Sequence, residues 1–68
     1  MKKWSSDPPK QCDICKGGIF NVFIDGKVMR GGWAIMCPIC HRVLGNGLGT
    51  GRGQAYKKVG KEFVKVAG

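Results

Sequence analysis

Apolar positions along this chain fall in short runs cut by glycine. Ile19-Phe20-Asn21-Val22-Phe23-Ile24 is rich in β-branched and aromatic side chains, the composition of a strand. Asp25-Gly26 follows, a dipeptide suited to a two-residue hairpin turn, and Lys27-Val28-Met29-Arg30 returns. This register sets Ile24 opposite Lys27, Phe23 opposite Val28 and Val22 opposite Met29. Phe20, Val22 and Ile24 share one face, and Ile19, Asn21 and Phe23 the other. Neither face is fully polar, so both are expected to be partly covered. Gly31-Gly32 breaks the pattern before Trp33-Ala34-Ile35-Met36, a further strand with Trp33, Ile35 and Cys37 on one side.

The second half is patterned differently. Glycine alternates over residues 45–53, Gly45-Asn46-Gly47-Leu48-Gly49-Thr50-Gly51-Arg52-Gly53. A flexible loop is the plain reading, but strict period two favours order. If extended, the segment puts its five glycines on one face and lets a backbone, ring or phosphate approach closely. Beyond it, Tyr56, Val59, Phe63 and Val66 have rough helical spacing. Gly60 would weaken such a helix by about 1 kcal/mol, and a hairpin about Gly60-Lys61 accounts for it better. Residues 1–10 read as a flexible tail, because Pro8-Pro9 resists both helix and sheet. Trp4 is the exception there, read as packing onto the domain or as simply disordered, with contact to a partner as the alternative.

A chain of 68 residues is one domain at most, and its apolar stock makes a marginal core. Its four cysteines change that picture. They form two pairs, Cys12-Asp13-Ile14-Cys15 and Cys37-Pro38-Ile39-Cys40. Such pairs offer four thiolates to one tetrahedral zinc. Zinc binding supplies about 10–16 kcal/mol of apparent free energy in small modules, and that energy is folding energy. The metal-free chain is therefore expected to be largely unfolded. Residues 12–18 read as a first zinc knuckle, with Gly17 and Gly18 giving the positive-φ freedom of the turn. Pro38 presets the backbone of the second. His41, next to Cys40, is read as a surface histidine or one beside the ligands.

Two disulfides or an iron centre are the alternatives. Met1-Lys2-Lys3 begins like an export signal, but Trp4-Ser5-Ser6-Asp7-Pro8-Pro9 follows without an apolar stretch of export length. No membrane span is expected. A reducing, cytoplasmic setting follows, in which paired cysteines read as metal ligands. Cys37-Pro38-Ile39-Cys40-His41 also fits covalent haem attachment, but haem would need export and would leave Cys12 and Cys15 unused.

Four thiolates closing a zinc sphere leave no position for water, so the metal is expected to be structural. One histidine and four acids build no acid–base or nucleophile pair. The glycine run lacks the lysine and hydroxyl residue of a phosphate-binding loop and fails the dinucleotide pattern. A non-enzyme without a small-molecule substrate is expected.

Net charge is +8, and a site of four thiolates and one divalent ion lowers it to about +6. The excess lies late in the chain, on Arg42, Arg52, Lys57, Lys58, Lys61 and Lys65 against Glu62 alone after residue 40. The plain reading is solubility. The functional one is a polyanion or acidic protein surface as partner. Arg42, Arg52, Lys57 and Lys58, with Tyr56 for base stacking, make the candidate contact surface. Trp33 is expected to pack beside the metal site. Its alternative is an exposed stacking surface, and it is counted among the candidate contacts.

The paired knuckles, the hairpin between them and Trp33 ahead of Cys37 resemble the zinc-ribbon family over residues 12–44. This resemblance implies contact with nucleic acid or protein rather than one activity. More narrowly, Asp25-Gly26-Lys27, Trp33-Ala34-Ile35-Met36-Cys37-Pro38 and Gly47-Leu48-Gly49-Thr50-Gly51-Arg52-Gly53-Gln54 with Tyr56 are similar to small uncharacterised zinc-ribbon proteins of tailed bacteriophages. That implies a host cytoplasm. Many ribbon knuckles carry glycine after the second cysteine, where this chain has Lys16 and His41.

The expected fold is thus a small β-rich, metal-stabilised zinc ribbon with a C-terminal β extension. Residues 1–10 form the tail and 11–68 the domain: ribbon 11–44, glycine-alternating segment 45–53 and C-terminal β-hairpin 54–68. The expected function is a non-catalytic regulatory protein that binds nucleic acid or a nucleoprotein complex. The alternative is a module that binds and modulates a host protein.

Overall fold

The computed structural model describes residues 2–5, 7–29 and 31–68. Met1 and Ser6 of the expected tail, and Arg30 at the end of the expected return strand, lie outside the described residues. Strands β1 (Val22–Lys27) and β2 (Trp33–Met36) are followed by helix α1 (Pro38–Leu44), then β3 (Gly53–Val59) and β4 (Glu62–Ala67). The strands form one antiparallel sheet in the order β2-β1-β3-β4. The protein is thus β-rich, as its sequence indicates.

The first hairpin is longer than expected. Asp25 and Gly26 do not turn; both lie inside β1, which pairs with β2 from Ile24 opposite Met36 to Lys27 opposite Trp33. The turn comes after Lys27 and before Trp33, where Gly31 and Gly32 take φ of 94° and 81°. Two glycines satisfy a positive-φ reversal at no steric cost. Turning there also sets Ile24 beside Met36, which are 4% and 0% exposed. Gly26 serves close approach instead. A Cβ on it would lie 3.2 Å from the Met36 side chain and 3.3 Å from the Arg52 carbonyl.

The C-terminal hairpin forms as expected, turning at Gly60-Lys61 with Gly60 at φ 65° and Val59 opposite Glu62. Both sheet faces are partly covered. On one, Phe23, Tyr56, Phe63 and Ile19 form the core. Phe23 stacks on Tyr56 at 5.1 Å with 11° between planes, and Phe63 meets Phe23 edge-on at 4.9 Å. The last large ring is Trp4, edge-on to Phe23 at 5.1 Å and to Tyr56 at 5.3 Å. Residues 2–4 are therefore no free tail. They run beside β4, with the Trp4 N–H donating to the Phe63 carbonyl and the Lys65 N–H to that of Lys2.

Residues 45–53 are ordered but not extended. Gly47, Gly49 and Gly51 take φ of 80°, 124° and 77°, which fold the segment into a tight loop closed by Gly49–Gly53 backbone bonds of 2.8 and 3.0 Å. Gly53 faces Gly26 across the sheet, and the bare pair admits the Gly47 carbonyl. Helix α1 was not anticipated. Cys37 is its N-cap, Pro38 stands in the first turn, and the Gly45 N–H returns to the His41 carbonyl. A Cβ at Gly45 would collide with His41.

Candidate metal centre and basic surface

Two separate elements carry the cysteines. Cys12 and Cys15 lie on a turn pinched off by pairing of Gln11 with Gly18. Within it, the Cys12 N–H donates to the Gly17 carbonyl at 2.8 Å and the Lys16 N–H to that of Cys12 at 3.0 Å. N–H groups point at the sulfurs as expected of a knuckle: Ile14 to the Cys12 Sγ and Gly17 to the Cys15 Sγ, both at 3.4 Å. The positive φ sits elsewhere than predicted. Lys16 takes it, at 64°, and neither Gly17 nor Gly18 does. What Gly17 provides is room, since a Cβ there would stand 3.3 Å from the Cys15 Sγ.

Cys37 and Cys40 are presented by the first turn of α1, where a ribbon would have a second knuckle. Asp13 holds the two halves together. Its N–H donates to the Ile35 carbonyl at 2.8 Å, and its carboxylate accepts the Ile35 N–H at 2.9 Å. The first cysteine pair is thereby fixed to the strand that leads into the second.

All four Sγ atoms lie within 4.8 Å of one another, so the cluster could hold one metal ion. Cys15 and Cys37 Sγ are 3.8 Å apart. Tetrahedral coordination with metal–sulfur bonds of about 2.3 Å needs sulfur–sulfur edges of about 3.8 Å. The four cysteines are free thiols. Their acidities are pulled apart. Burial opposes ionisation of Cys12, but N–H groups of Cys15, Cys37 and Ile14 and the Cys40 thiol outweigh it and bring its pKa down to about 6. Burial, then the sulfurs of Cys37, Cys12 and Cys15, pushes the Cys40 thiol up to about 12. One thiolate forms readily and the last does not, as expected of anions gathered without a counter-charge. A cation at the centre removes that repulsion. His41 is not among the clustered donors; its Nε2 lies 3.0 Å from the Gly47 carbonyl.

The predicted contact residues are dispersed. Arg42 is exposed on α1, and Arg52 is exposed ahead of β3. Lys57 and Lys58 are exposed on β3, but as strand neighbours they project from opposite faces. Tyr56 is corrected outright. It is 3% exposed in the core, with burial and then Asp25 raising its pKa, and offers no ring to a partner. Trp33 is corrected in the other sense, being 54% exposed rather than packed over the cysteines. The apolar area it was expected to supply comes from Trp4.

Lys10, Phe20 and Lys61 were not among the predicted contact residues. With Lys58 they line a groove of about 230 Å³ beside the core. The signal available for Phe20 was the polar break at Asn21, which sets it apart from the buried Phe23. A second groove, of about 290 Å³, is lined by Ile14, Val28, Met29 and Leu44. Among the described residues no helix is long and apolar enough to cross a membrane. Comparison with protein-family models, curated proteins and solved structures finds no match to this chain.

Proposed function

We propose that this chain is a non-catalytic zinc-binding domain of the ribbon kind that binds nucleic acid, free or within a nucleoprotein complex, through a basic surface. Zinc suits four soft thiolates gathered within 4.8 Å, and a sphere they close has no room for a reacting water. The nucleic-acid reading rests on the excess of exposed cations over acids. Asp13 is bonded to Ile35, Glu62 pairs with Lys3 at 2.8 Å, and burial raises the pKa of the half-buried Asp25 against the opposing pull of Lys2. Of four acids only Asp7 stands apart from such ties, while Arg42, Arg52, Lys57 and Lys58 are exposed. With 12 Lys and Arg against four acids the chain is strongly positive, which favours a polyanion.

The test is metal content with a salt titration. Native mass spectrometry should find one zinc per chain. A labelled oligonucleotide should bind at about 50 mM salt and lose affinity steeply by about 200 mM. Absence of binding at low salt would sink the nucleic-acid reading. One observation favours a second reading, a module that binds a host protein: the apolar groove at Ile14, Val28, Met29 and Leu44. Salt-insensitive capture of a protein that survives nuclease treatment would support that instead.

A further inference from the structure

The sheet face that carries the aromatic core runs out into the groove at Lys58. Pro8 and Pro9 line it, and the buried Ile19 and Phe63 form its apolar base. Three lysines line it as well, Lys10, Lys58 and Lys61, and among the described residues no acid does. Residues far apart in sequence are set there by backbone bonds. The Ile19 N–H donates to the Lys10 carbonyl at 3.0 Å, and the Lys58 N–H to the Asn21 carbonyl at 2.7 Å. Glu62, next to Lys61, is engaged by Lys3.

Phe20 gives the groove its second character. At 77% exposure it is the most exposed large apolar side chain among the described residues. Its ring is nonetheless seated. A Cβ on Gly18 would stand 2.8 Å from the ring tip, so the bare glycine is where the ring rests. An aromatic face open to water, among three cations and no anion, matches a ligand that alternates flat rings with phosphates. Base faces are free in a single strand and hidden in a duplex, whereas an acidic peptide would use the lysines and leave the ring idle.

The geometry points to this groove as a contact site for single-stranded nucleic acid. Phe20 stacks on one base, while Lys10, Lys58 and Lys61 neutralise the phosphates beside it. This rests on the nucleic-acid reading proposed above and deepens it.

Fluorescence anisotropy on the zinc-loaded full chain tests it, with a labelled thymidine oligomer of about 12 nucleotides and a duplex of the same length. The single strand should bind more tightly than the duplex. Phe20→Ala should weaken single-strand binding about tenfold, and Phe20→Tyr should restore it. Lys58→Ala with Lys61→Ala should flatten the slope of log affinity against log salt by about 1.4. Phe20 and both lysines are exposed, so the variants should keep the wild-type NMR dispersion. If wild type binds and these variants bind equally well, the groove assignment falls while the nucleic-acid reading stands. Equal or tighter binding of duplex overturns the single-strand assignment. Failure of wild type to bind either probe removes the reading and the groove together. A polyglutamate peptide bound as tightly as the oligomer, without dependence on Phe20, also overturns it.

Discussion

Lys16 is the one described residue other than glycine in the left-handed region, at φ 64°. An L-residue there costs about 1 kcal/mol, because its Cβ crowds the following carbonyl. Lys16→Gly should raise the stability of the zinc-loaded protein by about 0.5–1 kcal/mol in urea unfolding, part of the relief being lost to the freer unfolded chain. An unchanged or lowered midpoint would show that the lysine side chain contributes more than its backbone costs. The residue scale is also where the sequence was least legible. Composition counts two tryptophans but does not say which is inside. Trp33 flanks a ligand in sequence, yet it is the partly buried Trp4 that packs against the core, because residues 2–4 pair with β4 more than fifty positions away. Tyr56 was misjudged for a local reason: its lysine neighbours mark a surface, but its own ring turns inward from β3.

At the scale of elements, the C-terminal hairpin was readable because Gly60-Lys61 is its only glycine-bearing break. The first hairpin offered two glycine turns, and the local Asp25-Gly26 signal lost to Gly31-Gly32. That choice depends on burying Ile24 with Met36, which no dipeptide records. Helix α1 was illegible for another reason. Its seven residues bury no side chain, so it leaves no apolar stripe to detect. The N-terminal segment gives a paired prediction. Trp4→Ala removes ring contacts with Phe23 and Tyr56 and should cost about 2 kcal/mol or more. Trp33→Ala, at an exposed position, should change stability by less than about 0.5 kcal/mol. Similar costs for both substitutions in urea titrations would contradict the packing described here.

For the whole molecule, the cysteine pairs foretold their own convergence, because their spacing is a chemical requirement rather than a packing preference. What the spacing left open was the scaffold, a turn on one side and a helix on the other. Zinc chelation is expected to abolish folded NMR dispersion, and added zinc to restore it. Acid should act in the same direction. Cys12 ionises at about 6, the lowered value, so its charge is present above that pH and lost below it. Metal affinity and thermal stability should therefore fall as pH drops from about 9, the ordinary thiol value, to about 6, the window in which only the unfolded chain holds this proton. A melting temperature indifferent to both chelator and acid would exclude a folding role for the metal. The hydrogen bonds of residues 2–4 and of Asp13 have a last consequence. The former close the outer flank of β4, and Asp13 occupies the outward N–H and carbonyl of Ile35 on β2. Both margins of the sheet are thus occupied by one N-terminal stretch, which guards against strand addition by another copy and hence against fibrous aggregation. Trimming or displacing this stretch would unseal both margins at once.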